Sequence, residues 1–424
     1  LYTIDGTDPT ENGTIYEGPI EITESTTIKT IVKTEDGRMG EVEEFEYTIT
    51  DALQIHDIQG AGHQSPYDGQ TVEKIEGVVT YTFELNGSNY YHIQTLDELV
   101  DEDRETSEGI ILYSGRNPWP IEVGDLVAAT GEVDEYAIEG YSDRQQTDLK
   151  TTQINVRDDR GGIVTVVEEN VELPEPIIIN QDNLPTEVID NDQFAEFDPE
   201  EDAIDFWESL EGMRVQVGDV KAVAPQEHGD IITVLESAPT DTINGGLLLK
   251  EDDQNPERIQ FRLEPNGPAR NFEVATGDKF EGTINGVVGY SYQNYKIYTS
   301  LDEMKEAHSE GNAEPEQTSI VFDNEKLTIA SYNLENFSNN LSETSDDKAQ
   351  KLARAIAVDM ENPDIVGVTE VQDNNGQDSG DSAADESYER LIKEIVNAGG
   401  VRYEYVNIDP VNNEDGGAPN ANIR

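Results

Sequence analysis

Two side chains stand out for the chemistry their setting allows. Asn333 ends the run Leu327-Thr-Ile-Ala-Ser-Tyr-Asn333, and Glu370 ends Pro363-Asp-Ile-Val-Gly-Val-Thr-Glu370. Between them, Ala349, Leu352, Ala353, Ile356, Ala357 and Met360 fall on one helical stripe. Ser345 is placed to cap that helix, and Asn362-Pro363 to end it. A strand, a helix and a second strand joined this way form a right-handed crossover with parallel strands, so both strands end at the same edge of the sheet. Asn333 and Glu370 are therefore expected to meet. An amide beside a carboxylate at such an edge is a seat for one hard divalent cation held mostly by oxygen and water.

The pattern continues beyond Glu370. Tyr388, Leu391, Ile392, Ile395 and Val396 predict a second helix over 385–398, stopped by Gly399-Gly400, and Tyr403–Ile408 reads as a third strand. The words Ser-Tyr-Asn333-Leu-Glu-Asn-Phe, Pro363-Asp-Ile-Val-Gly-Val-Thr-Glu370-Val-Gln-Asp-Asn and Asp415-Gly-Gly-Ala-Pro-Asn-Ala-Asn-Ile-Arg424 resemble the endonuclease/exonuclease/phosphatase superfamily, the deoxyribonuclease I-like fold. They are most similar to its secreted, multidomain bacterial nuclease branch. The resemblance covers about a quarter of the chain. It implies that residues 321–424 are the first half of an α/β four-layer sandwich, with magnesium (or manganese or calcium) on Glu370. Asn333 would stand beside metal and phosphate as a neutral donor, and the guanidinium of Arg424 would take a phosphate oxygen. The implied activity is metal-dependent hydrolysis of phosphodiester bonds in extracellular nucleic acid, DNA before RNA, by a protein that is secreted or held at the cell surface.

The same family completes its site with a His, an Asp-x-Asn pair and a final Asp-His. The five histidines here are His56, His63, His92, His228 and His308, all ahead of Asn333. With Leu1-Tyr2 opening in mid-strand, the chain reads as a fragment that is inactive alone. Gln372 stands where some relatives carry a basic residue, which weakens the case for groove contact. Two other readings remain: a phosphoesterase of the same fold acting on lipid or small phosphate esters, and a non-catalytic surface protein built of β modules.

Ninety-one acidic residues against twenty-seven basic give a formal net charge of −64. A field of this sign repels a phosphate backbone, since affinity for DNA normally comes from Lys and Arg displacing counterions. The excess is spread along the chain and reads as a solvated surface suited to high salt, where the Debye length falls to about 3 Å at 1 M. A calcium-dependent surface protein is the competing reading. There is no cysteine, so no disulfide or thiolate metal site can form. No run is long and apolar enough to span a bilayer.

The remaining residues must carry and position this segment. Residues 1–50 alternate with period two around Asp36-Gly37, and the words Asp5-Gly-Thr-Asp-Pro9 and Tyr16-Glu-Gly-Pro-Ile20 resemble the chitobiase and β-hexosaminidase C-terminal β-sandwich module. Strands are expected at Tyr2–Ile4, Ile15-Tyr16, Pro19–Ile22, Thr26–Val32 and Val42–Ile49. Asp5, Asp8 and Glu11 fit a turn better than a calcium loop. Residues 51–180, with Ile55-His-Asp-Ile-Gln-Gly-Ala-Gly-His63, Ser107-Glu-Gly-Ile-Ile-Leu112 and Val123-Gly-Asp-Leu-Val127, have the short strands and Gly turns of a small barrel and resemble an OB-fold module. Val217-Gly-Asp-Val-Lys-Ala-Val223, Asn244-Gly-Gly-Leu-Leu-Leu249 and Thr276-Gly-Asp-Lys-Phe280 echo it, predicting a second copy over 181–305 that opens on a helix near 198–212. Residues 306–320 read as an acidic linker. OB folds stack bases on aromatics in a basic groove. Tyr81, Phe83, Tyr90, Tyr91, Tyr136, Tyr141, Tyr290, Tyr292 and Tyr295 offer the rings without the groove, which favours a packing role. His56 and His63 suit loop packing better than a metal pair, and 373–378 suits a flexible connection better than a calcium loop.

Overall fold

Period-two patterning becomes strand pairing first at Thr26–Lys33 (β2) and Met39–Tyr47 (β3), which run antiparallel, with Tyr2–Thr3 (β1) on the other side of β2. Asp8 caps a short helix, Pro9–Asn12 (α1), by accepting from the Thr10 amide. Asp5 accepts from the Thr7 amide and hydroxyl, so both carboxylates serve local turns. Ile15 and Tyr16 are exposed, contrary to the strand expected there; among the described residues of this stretch only Thr14 bridges, to Tyr2. The computed structural model describes all residues except 17, 21, 23–25, 35, 48–51, 102, 142–147, 265–266, 379–381 and 415–416. Parts of the strands expected at 19–22 and 42–49, and the Asp415-Gly416 of the last motif, lie outside the described residues.

The next module is a closed barrel. After a short helix, Ile55–Gln59 (α2), the 15-residue strand Thr71–Leu85 (β4) pairs on both sides, with Ser88–Gln94 (β5) and with Leu126–Tyr136 (β7). Gly109–Gly115 (β6) pairs with β5 and, in parallel, with Thr151–Asn155 (β8), which returns to β7. Numbered within the module, the strands run first, second, third, fifth, fourth and back to first. That order, with the third and fifth parallel, is an OB-type barrel. Ile163–Glu168 (β9) extends it along β7. Ile75, Val79, Ile93, Leu112, Val127 and Ile154 fill its interior.

The order repeats. Arg214–Val217 (β11) and Val220–Ala222 (β12) are one first strand interrupted at Gly218-Asp219, and Lys279–Phe280 (β15) and Ile284–Ser291 (β16) are one fourth strand. Asp230–Leu235 (β13), Ile259–Arg262 (β14) and Asn294–Tyr298 (β17) supply the second, third and fifth, with β14 and β17 parallel. Pairing of β11 with β16 and of β12 with β15 closes this barrel too. Both copies carry a Gly-Asp just before the fourth strand. Asp125 accepts from the Glu122 amide at 2.9 Å and Asp278 from the Ala275 amide at 2.9 Å, so the same turn launches the same strand twice.

Three expectations change here. Asn244–Leu249 is not the third strand; Leu248 and Leu249 lie exposed in a loop, and β14 takes that place because its Ile259 and Phe261 reach the core. The second module begins before residue 181, since Ile177–Ile179 (β10) pairs with β11. It also ends later: the helix Leu301–Ala307 (α5) leads into His308–Ser309 (β18), which pairs with β15, so 306–309 are not linker. The helix expected near 198–212 is Ala203–Glu208 (α3), and a further turn, Gly267–Arg270 (α4), follows β14. Residues 1–313 form one compact unit and 314–424 another.

In the second unit Ile329–Phe337 (β19) and Ile365–Val371 (β20) pair in parallel. The helix Asp346–Arg354 (α6), capped by Ser345, continues as a wider π turn over Ala355–Asp359. With Asp385–Asn397 (α7) it covers one face of the pair, burying Ala349, Ala353, Ile356, Leu391 and Ile395. No strand forms at 403–408. Among the described residues nothing pairs with it, Val406 and Ile408 are exposed, and it is held instead by the Tyr403 hydroxyl on the Pro363 carbonyl.

Candidate functional site

Parallel register sets Asn333 opposite Thr369, one residue short of Glu370. The amide Nδ2 of Asn333 donates to Glu370 Oε1 at 2.7 Å, and the main-chain N–H of Asn336 donates to Glu370 Oε2 at 3.2 Å. Asn333 Oδ1 in turn accepts from the Glu335 amide at 2.7 Å. The pairing register shifts between Asn333 and Phe337, and Glu335, Asn336 and Glu370 all have φ between 51° and 60°. Left-handed backbone at three non-glycine residues costs free energy at each, and it turns the strand ends so that one carboxylate faces two donors.

Beneath this edge the support is buried. Gln372, fully buried, donates to Asn336 Oδ1 at 3.0 Å, while its own Oε1 has no hydrogen-bond partner. Its neutral amide therefore orients Asn336 rather than lining a groove. Lys348 reaches from α6 to the Glu335 carbonyl and to its carboxylate at 3.3 Å. Asn333 is exposed and Glu370 half-buried, so a cation bound here keeps room for water. Each Glu370 oxygen accepts one N–H and keeps a lone pair, so the carboxylate is the group a hard ion such as Mg²⁺ would take, with the Asn333 Nδ2 a donor beside it.

Arg424 arrives beside this edge through its backbone. Its N–H and carbonyl pair with the Val371 carbonyl and N–H, each at 3.0 Å, and the Ala421 carbonyl accepts from the Asp373 amide. Asn422, buried, donates to Asp373 Oδ2 at 2.9 Å and holds the segment down. Burial pushes the Asp373 carboxyl above its ordinary range, against the pull of that hydrogen bond. The Arg424 guanidinium is not a surface group. Its side chain is 10% exposed, it donates to the Ser382 carbonyl and lies 3.5 Å from Asp409, and its Nε and Nη1 have no hydrogen-bond partner.

The segment after Asp373 makes hydrogen bonds to neighbouring elements. Asn374 Oδ1 accepts from the Glu386 and Ser387 amides and so caps α7, and the Glu343 carboxylate accepts from the Gln377 amide. Sequence reading did not single out Asn336 or Lys348; the signal was there in Asn336 lying one turn of chain after Asn333, at a strand end.

No curated protein matches the chain. A family model described as chitobiase/beta-hexosaminidase C-terminal domain matches residues 1–44, which supports the resemblance read from that module. A second, described as Domain of unknown function (DUF8508), matches residues 166–309, which spans the second barrel. Among solved structures the chain is similar to fission yeast Pot1 with ssDNA, at 11% identity over 55% of this chain and 80% of that one, with a TM-score of 0.18. A score so low supports no conclusion about fold or ligand.

Proposed function

We propose that residues 321–424 form the metal-binding part of a deoxyribonuclease I-like catalytic domain, and that the protein serves hydrolysis of phosphodiester bonds in extracellular DNA. The observation that carries this reading is the 2.7 Å contact between Asn333 and Glu370 at the common edge of two parallel strands. Glu370 would hold a magnesium ion, which polarises a phosphoryl oxygen and offsets charge on the leaving oxygen. Asn333 binds the same phosphate as a neutral donor, where a second carboxylate would repel it. Among the described residues, groups that take the proton from water or give one to the leaving oxygen do not gather at this edge, so Asn333 and Glu370 would supply binding and polarisation. With a net charge of −64, approach to DNA depends on salt or divalent cations.

The test is an NMR titration with MgCl₂ in concentrated KCl, paired with a plasmid-nicking assay. Amide signals of Asn336 and Val371 should move with Mg²⁺ in the wild type and stay still in Glu370→Gln. Any nicking should vanish in that variant. Signals that respond equally in both proteins would overturn the reading.

A further inference from the structure

A second group of metal-ligating side chains lies in the first barrel, far in sequence from the strand-end pair. His56 sits in the first turn of α2, and Asp101 and Glu108 sit in the connection from β5 to β6. His56 Nδ1 is 2.9 Å from Glu108 Oε1 and 3.8 Å from Asp101 Oδ2. One ligand atom from each of the three lies within 4.8 Å of the other two. The Glu108 side chain is 7% exposed, and its Oε2 is buried with no hydrogen-bond partner.

An ion pair of His56 with Glu108 does not account for this arrangement. It leaves a second carboxylate, Asp101, against the same imidazole and an orphaned carboxylate oxygen in the interior. A buried unpaired acceptor is costly. A divalent cation matches the two negative charges that converge on the imidazole. The surrounding bonds already orient the ligands. The Asp101 amide donates to Glu108 Oε1 at 2.8 Å, and Thr106 Oγ1 donates to Asp101 Oδ2 at 2.9 Å. Such outer bonds fix the aim of metal ligands.

We infer that His56, Asp101 and Glu108 form a binding site for a transition-metal dication of the Zn²⁺ or Mn²⁺ class, which staples the β5–β6 connection to α2. One imidazole nitrogen with two carboxylates favours such ions over Mg²⁺ or Ca²⁺, which prefer oxygen alone. Ligands about 2.0–2.1 Å from zinc stand roughly 3.3 Å apart in a tetrahedron, and the observed 2.9 and 3.8 Å lie on either side of that value. The fourth position is left for water. The chain has no cysteine, so a metal is the cross-link open to this long connection. The cluster Asp190, Asp192 and Asp202 differs in having no nitrogen ligand.

The experiment is calorimetric titration of the intact chain with ZnCl₂, in concentrated KCl with millimolar MgCl₂ to fill non-specific carboxylates. Trypsin cleavage at Arg104, which is exposed within the connection, is followed in parallel. The wild type should show one saturable site, and Zn²⁺ should slow cleavage at Arg104 severalfold. His56→Gln should weaken binding about 100-fold and Asp101→Asn about 10-fold, each with loss of the protection. His228→Gln, at an exposed histidine outside the cluster, should change neither. Asp101 is half-buried, so Asp101→Asn keeps the test open if His56→Gln fails to fold. Zn²⁺ binding of wild-type strength in either variant, or no saturable site in the wild type, would overturn the proposal.

Discussion

Gly109, at the start of β6, lies against the backbone of Gly212, which follows α3, so closely that a Cβ on Gly109 would stand 2.2 Å from the Gly212 carbonyl carbon. The contact joins the two barrels of the first unit, and Ser107 Oγ reinforces it by donating to the Glu211 carbonyl at 2.6 Å. Gly109→Ala should therefore destabilise the unit by about 3 kcal/mol or more, because a backbone on each side must shift. Gly69→Ala is the control. It has the same left-handed requirement as many turns but no atom within 4 Å, and should cost only about 1 kcal/mol. Equal losses of stability in urea would refute the close approach.

His63 is gripped by the second barrel. Its Nε2 is 2.7 Å from Asp205 Oδ1 and its Nδ1 is 3.0 Å from Glu208 Oε2. Burial opposes protonation of the ring, but the hydrogen bonds and charges of the two carboxylates outweigh it and lift the imidazolium to about 9. The folded value lies above the unfolded one of 6.5, so this contribution is complete below pH 6.5 and is lost as pH rises through about 9. Chemical unfolding of the wild type at pH 6.5 and 9.5 should show that loss. His63→Gln should be less stable by about 2 kcal/mol at pH 6.5 and should shed most of the alkaline decline. A parallel pH profile in the variant would contradict the assignment.

His92 has the opposite slope. Its ring is fully buried with one hydrogen bond partner, the Gly212 carbonyl at 3.3 Å, and burial drives it down to about 4. The unfolded chain takes up the proton first, so stability falls as pH drops from 6.5 toward 4. His92→Gln should flatten that acid limb; an unchanged limb would assign it to other groups.

The acidic surface should make stability depend on salt. Repulsion among 91 acidic residues is screened within a few ångströms at molar KCl. The melting temperature should rise from about 0.1 to 2 M KCl, by an amount equivalent to about 2 kcal/mol or more. A melting point that is flat or falls with salt would refute adaptation to high salt.

What the sequence revealed follows from the range of the interaction involved. The meeting of Asn333 with Glu370 was legible because a crossover rule turns two local strand patterns into one shared edge. The barrel repeat was legible at Gly124-Asp125 and Gly277-Asp278, where a turn is written in adjacent residues. The third strand of the second barrel was not. Leu247–Leu249 is more apolar than Ile259-Gln-Phe-Arg262, yet the pairing partners β13 and β17 select the latter. Tyr403–Ile408 alternates as a strand should and finds no ladder, since alternation specifies a face and not a partner. His56 and Glu108 are 52 residues apart, and in a chain so rich in carboxylates nothing marks which ones converge on a histidine.

In the proposed function Glu370 holds a hard divalent cation with Asn333 beside it. Its most direct measurement is anomalous scattering from crystals of the chain soaked in MnCl₂. A manganese peak about 2 Å from a Glu370 carboxylate oxygen, on the Asn333 side and missing in Glu370→Gln crystals, is the result predicted. Manganese found elsewhere on the acidic surface while this strand edge stays without a peak would contradict it.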